Sequence, residues 1–135
     1  MIQRIQSLWL LLGAGCSVAA ILLPFYAGNT SRNLYERLNG QSHFHLLILC
    51  VAVGLASLVS IFLYNNRKRQ MQIVLLALAL ELFNIFFFIQ KANSFVDGTY
   101  SLSAVFSFAV PVLLILALLG IRKDEQLIKS MDRLR

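Results

Sequence analysis

Residues 71–89 read MQIVLLALALELFNIFFFI, an apolar run with a single carboxylate, Glu81, near its centre. A helix rises about 1.5 Å per residue, so about 20 such residues cross the roughly 30 Å of hydrocarbon in a bilayer. The run has that length, and three others match it: residues 8–26, 44–64 and 102–121. Together they take up most of a 135-residue chain that is 59% hydrophobic and 13% charged. A soluble domain carries about 25% charged residues. Backbone in lipid must satisfy its own hydrogen bonds, which leaves helices as the economical solution. The expected fold is therefore an all-α membrane protein, a single domain spanning residues 1–135 and built as a four-transmembrane antiparallel helix bundle.

The net charge of +6 could suggest a nucleic-acid partner, but the placement of the basic residues argues against one. Nine of the twelve Lys and Arg fall in three patches: Arg4; Arg67, Lys68 and Arg69; and Arg122, Lys123, Lys129, Arg133 and Arg135. The intervening loops hold only Arg32, Arg37 and Lys91. Such alternation is the positive-inside pattern. It predicts both termini and the 65–70 loop in the cytoplasm (N-in, C-in), and it accounts for the charge without any nucleic acid. The N-terminal run has a faint lipoprotein-like Cys16, but apolar sequence continues to Tyr26, so a retained span is expected.

The short 65–70 connection predicts an antiparallel hairpin of the second and third spans. Asp97-Gly98 is a turn signal in the third loop. In the first loop, Leu34, Tyr35 and Leu38 lie at helical spacing, with Asn33 and Glu36 as an approximate capping box. A short amphipathic helix on the outer membrane surface is expected there, with a plain polar loop as the alternative. Trp9 and Tyr64 mark one interface; Tyr26, Phe44 and Tyr100 mark the other. The tail, residues 122–135, places Leu127, Ile128, Met131 and Leu134 on one face, which predicts a short cytoplasmic C-terminal helix, either continuing from the fourth span or lying on the membrane surface. Arg67, Lys68, Arg69, Arg122, Lys123 and Arg133 are the candidate contacts for a cytoplasmic partner or for anionic lipid.

An intramembrane carboxylate costs about 2.5–3.5 kcal/mol on insertion scales and marks a functional candidate. Asn84, one turn on, shares its face. Counting inward from the helix ends puts Ser17, Gly54, Ser57 and Ser107 at similar depth, with Cys16 and Cys50 as small neighbours. Pro111 frees the carbonyl of Ser107. With no Lys or Arg at that depth, Glu81 is expected to be neutral. The cluster is either a packing device or a site for a proton or cation. Small multidrug transporters are also four-span proteins with an embedded Glu, but theirs lies in the first span. His43 and His45 stand two positions apart at the start of the second span, which on a helix puts them on different faces. No catalytic set, cofactor site or metal site is expected, and the chain is read as non-enzymatic.

The opening Met1-Ile2-Gln3-Arg4-Ile5-Gln6 and the ending Ile121-Arg122-Lys123-Asp124-Glu125 through Asp132-Arg133-Leu134-Arg135 resemble a family of small four-span proteins from Bacteroidetes, catalogued only as a domain of unknown function. The resemblance implies a bacterial inner-membrane location and brings no substrate, cofactor or catalytic residue with it. The leading expectation is an accessory, assembly or scaffolding subunit of a membrane complex, in contact with lipids and with a membrane-protein partner or a second copy. The alternative is a small transporter or ion-binding protein centred on Glu81.

Overall fold

The structure is a computed structural model and describes residues 2–32 and 34–132. The elements run α1 (Ile2–Leu22), β1 (Tyr26–Asn29), β2 (Tyr35–Leu38), α2 (Phe44–Phe62), α3 (Arg67–Ala92), β3 (Asp97–Tyr100) and α4 (Ala104–Asp132). All four helices are long and apolar enough to cross a membrane. They form a ring in which α1 packs on α2 and α4, and α3 packs on α2 and α4. Their outward faces carry exposed Leu, Val, Ile and Phe side chains.

The boundaries follow local chemistry. α1 stops at Leu22, short of the expected Tyr26. Pro24 is the reason, because the residue before a proline is pushed out of the helical region. α3 begins after Asn66, whose side chain accepts from the Arg69 backbone N–H at 3.4 Å. It runs to Ala92, longer at both ends than the apolar stretch alone. The tail is helical, and of the two expected forms it takes the continuation of the fourth span. It is the last part of α4, which continues without a break past the apolar segment to Asp132. Leu127 and Ile128 are exposed there, while the expected positions of Arg133 and Leu134 lie outside the described residues.

The expectation of an all-α fold needs correction, because both long loops contribute to a small antiparallel sheet of order β2-β1-β3. Tyr26 stands opposite both Leu38 and Tyr100, and Asn29 opposite both Tyr35 and Asp97. Residues 35–38 therefore form a strand and not the expected amphipathic helix. A four-residue helix cannot offset its nucleation cost, whereas a strand gains a ladder to β1 and still buries Leu38. The Asn33 cap lies outside the described residues. Asp97-Gly98 is not a turn either; it opens β3, with Gly98 paired to Gly28. A Cβ on Gly28 would come within 2.2 Å of the Asp97 carbonyl oxygen, and one on Gly98 within 2.6 Å of the Tyr26 ring. The two strands approach too closely for any side chain at these positions.

The sheet joins the 23–43 and 93–103 connections at one end of the bundle. At the other end the N-terminal part of α1 meets the C-terminal part of α4, where the Gln6 amide bonds Asp124. Two apolar clusters fill the interior. One, toward the sheet, contains Ala20, Phe25, Leu38, Leu46, Cys50, Phe88 and Ala104. The other, toward the termini, contains Leu10, Val53, Val74, Ala77, Val110, Leu114 and Ile121.

Candidate functional site

The two clusters are separated along α1, α3 and α4, while on α2 they meet at Cys50 and Val53. On α3 the gap lies between Ala77 and Phe88, on α4 between Ala104 and Val110, and on α1 between Leu10 and Ala20. The buried residues there include Ser17, Glu81, Asn84 and Ser107. A polar layer thus divides an otherwise apolar core. Glu81 is 1% exposed, and among the described residues no Lys or Arg is a hydrogen-bond or ion-pair partner of it.

Asn84 organises this layer. Its Nδ2 donates to Glu81 Oε2 at 3.2 Å and to Cys50 Sγ at 3.2 Å, joining α3 to α2. Ser17 Oγ donates to the Cys50 carbonyl at 2.7 Å, joining α1 to α2. Gly54 lies against Ser17, where a Cβ would be 3.6 Å from its hydroxyl. Two oxygens stay buried without partners: Glu81 Oε1 and Asn84 Oδ1. Buried polar atoms are nearly always paired, so these two unpaired acceptors stand out in the layer.

Of the residues expected at this depth, Glu81, Asn84, Ser17, Gly54 and Ser107 are all buried. Ser57 is buried as well, but its hydroxyl donates to the Val53 carbonyl of its own helix at 2.8 Å. It belongs with the terminal-side cluster and lies one turn beyond Val53. Cys50 has a larger part than expected. Read as a packing residue, it is the atom group through which α1 and α3 both hold α2.

A second polar group lies at the end that bears the termini, and it was not foreseen. Gln6, Gln70 and Asp124 are buried there. Arg67 Nη1 lies 3.7 Å from Asp124 Oδ2, an ion pair longer than a hydrogen bond, and is itself buried without a hydrogen-bond partner. A cavity of about 430 Å³ opens between these residues and Ser7, Ile61, Phe62 and Tyr64. Gly120 makes room for Gln6: a Cβ there would come within 2.8 Å of its Cγ. Only the fold reveals this grouping, because its members come from α1, α3 and α4 and share no spacing in the sequence. Of the expected cytoplasmic contacts, Arg67 enters the cavity wall, while Lys68, Arg69, Arg122 and Lys123 are exposed.

The surface of α3 carries a third feature, an apolar cleft of about 430 Å³ lined by Ala79, Leu82, Phe83 and Phe86. His43 and His45 are closer than helical spacing suggests, with rings stacked 5.5 Å apart. His43 is the extended residue before α2 and not part of the helix, which turns its ring toward its neighbour. Partial burial, with Lys91 and His45 adding to it, pushes the His43 imidazole below its ordinary value. Among the described residues, no group of three or more His, Cys, Asp or Glu is placed to hold a metal ion.

A family model described as "Domain of unknown function (DUF4293)" matches residues 2–134. No curated protein and no solved structure matches the chain.

Proposed function

The chain belongs to the DUF4293 family, a domain of unknown function, and from its geometry we propose that it is a non-enzymatic accessory, assembly or scaffolding subunit of a membrane complex. In this reading it crosses a bacterial inner membrane four times, with both termini in the cytoplasm. The distribution of Lys and Arg supports that orientation: Arg67, Lys68, Arg69, Arg122 and Lys123 all lie at the end opposite the sheet.

The observation that carries the reading is the apolar cleft on α3. Lipid tails are as apolar as leucine, so membrane helices associate through close packing and not through hydrophobicity. A shallow apolar face with one small residue among larger ones lets a partner helix pack closely. Ala79 forms the small-residue part of the cleft, with Leu82, Phe83 and Phe86 as its other lining. The polar layer lies on the inner face of the same helix, where it holds α3 against α2 and so keeps the cleft in place.

The test is purification in mild detergent followed by mass spectrometry. A stoichiometric membrane-protein partner is expected, and Ala79→Trp, which fills the cleft, should release it. Recovery of the bare chain alone from wild type, or retention of the partner by the Ala79→Trp chain, would overturn the reading.

One observation favours a second reading, a proton- or ion-binding protein centred on Glu81. It is the pair of unpartnered oxygens, Glu81 Oε1 and Asn84 Oδ1. Glu81→Gln preserves shape and hydrogen bonding but removes proton exchange. Under the accessory reading this variant should retain its partner and full function. Loss of function with the partner still bound would favour the ion-binding reading instead.

A further inference from the structure

We propose that the cavity at the terminal end of the bundle is a glycerophospholipid site, with the lipid phosphate held by Arg67 and Gln70 and one acyl chain laid along the seam between α1 and α2. The proposal rests on reading that end as a membrane–water interface. It does not depend on any partner protein.

The polar half of the site is built and holds a buried donor without an acceptor, on Arg67. Gln70 lines the cavity and is only 4% exposed. Both side chains carry N–H donors, and a phosphate offers acceptors that match them. Both residues sit in the first turn of α3, where the helix dipole adds partial positive charge. Asp124 Oδ2 accepts from the Gln6 amide and lies 3.7 Å from Arg67 Nη1, so the guanidinium offsets its charge while that N–H, beyond hydrogen-bond length, stays open to a phosphate oxygen.

The apolar half lies farther along two of the same helices. The cavity includes Ser7 of α1 and Ile61 and Phe62 of α2. A narrower groove of about 140 Å³ lies farther along the same two helices, lined by Ala14, Val18, Val51, Gly54, Leu55 and Leu58 among others. On α1, Ser7, Ala14 and Val18 lie on one helical face; on α2, Phe62, Leu58, Leu55 and Val51 do the same. Leu58 is one turn from Phe62, about 6 Å along the axis. The same two helices therefore carry a head-group pocket and, about one turn farther along, a separate groove lined mainly by Val and Leu that lies in the hydrocarbon region. A free phosphate would use only the first part, and a phospholipid uses both.

Native mass spectrometry of the delipidated full chain, titrated with phosphatidylglycerol in detergent, tests this. One lipid per chain is expected to bind. Arg67→Gln should weaken binding about tenfold or more, the factor that follows from losing a charge-assisted hydrogen bond. Ala14→Leu, which blocks the groove without touching the pocket, should weaken it similarly. Glycerol 3-phosphate, the water-soluble head, should bind far less tightly than the whole lipid. Thermal melting in the same detergent identifies any variant that has failed to fold, and Arg67→Lys then serves as the milder probe, with an intermediate loss. Unchanged lipid binding in both folded variants would overturn the site. Equal binding of the water-soluble head would overturn the role of the groove. Neither outcome bears on whether the chain has a protein partner.

Discussion

Phe25→Ala is expected to destabilise the fold by about 3–5 kcal/mol, the range for removing a fully buried aromatic ring. Phe25 lies in the short segment between α1 and β1, yet it is 2% exposed. Its ring stacks on Phe88 at 4.7 Å, meets Tyr100 edge-on at 5.7 Å and lies 5.6 Å from Phe108. In a membrane the cost comes from lost packing contacts more than from water. No neighbouring backbone can relax into the space without disturbing the sheet, because the Phe25 N–H donates to the Leu38 carbonyl at 2.6 Å and its carbonyl accepts from the Ser101 N–H at 3.0 Å. The same substitution should therefore raise hydrogen exchange across residues 26–29, 35–38 and 97–100 before it affects the helices. Unfolding in mixed micelles measures the first effect and exchange mass spectrometry the second. A loss below about 1 kcal/mol, with no change in exchange, would show that the ring does not anchor the sheet.

Asn84→Leu should cost about 1–3 kcal/mol, the penalty for stranding a buried polar partner. Asn84 is the donor to both Glu81 and Cys50, so its loss leaves a carboxyl in an apolar core with no hydrogen bond. Glu81→Leu leaves the Asn84 amide only the Cys50 sulfur as an acceptor, a weak one. The informative variant is the pair. Replacing both members of a buried polar pair with apolar residues of similar size is often close to neutral. The double variant should thus be more stable than the sum of the single losses by about 1 kcal/mol or more. Strictly additive losses in the same unfolding assay would mean that the two side chains do not act as a unit.

Much of the architecture was legible in the sequence, because hydrophobic length is a direct physical constraint. Apolar runs near 71–89 or 44–64 have one low-energy form in a bilayer, and local composition dictates it. Glu81 and Asn84 were legible for the same reason: polar residues in such a run are conspicuous, and the 3.6-residue period puts them on one face. The first loop was misread because Leu34, Tyr35 and Leu38 fit a helix by spacing alone, while the strand that wins is stabilised by β1 and, through β1, by β3 more than 50 residues away. His43 and His45 were misread because helical geometry was extended one residue too far, to a position with φ −137° and ψ 136°.

The sequence by itself determined four membrane-length helices, the hairpin of α2 and α3 and a buried carboxylate at mid-depth, since each follows from the polarity and spacing of neighbouring residues. Only the tertiary structure decided that two separate loops share one sheet, that Cys50 joins α1 and α3 through α2, and that Gln6, Arg67, Gln70 and Asp124 meet around one cavity. Those groupings depend on contacts between residues far apart in the chain. No periodicity or composition encodes them, and they exist only once the helices have closed into a ring.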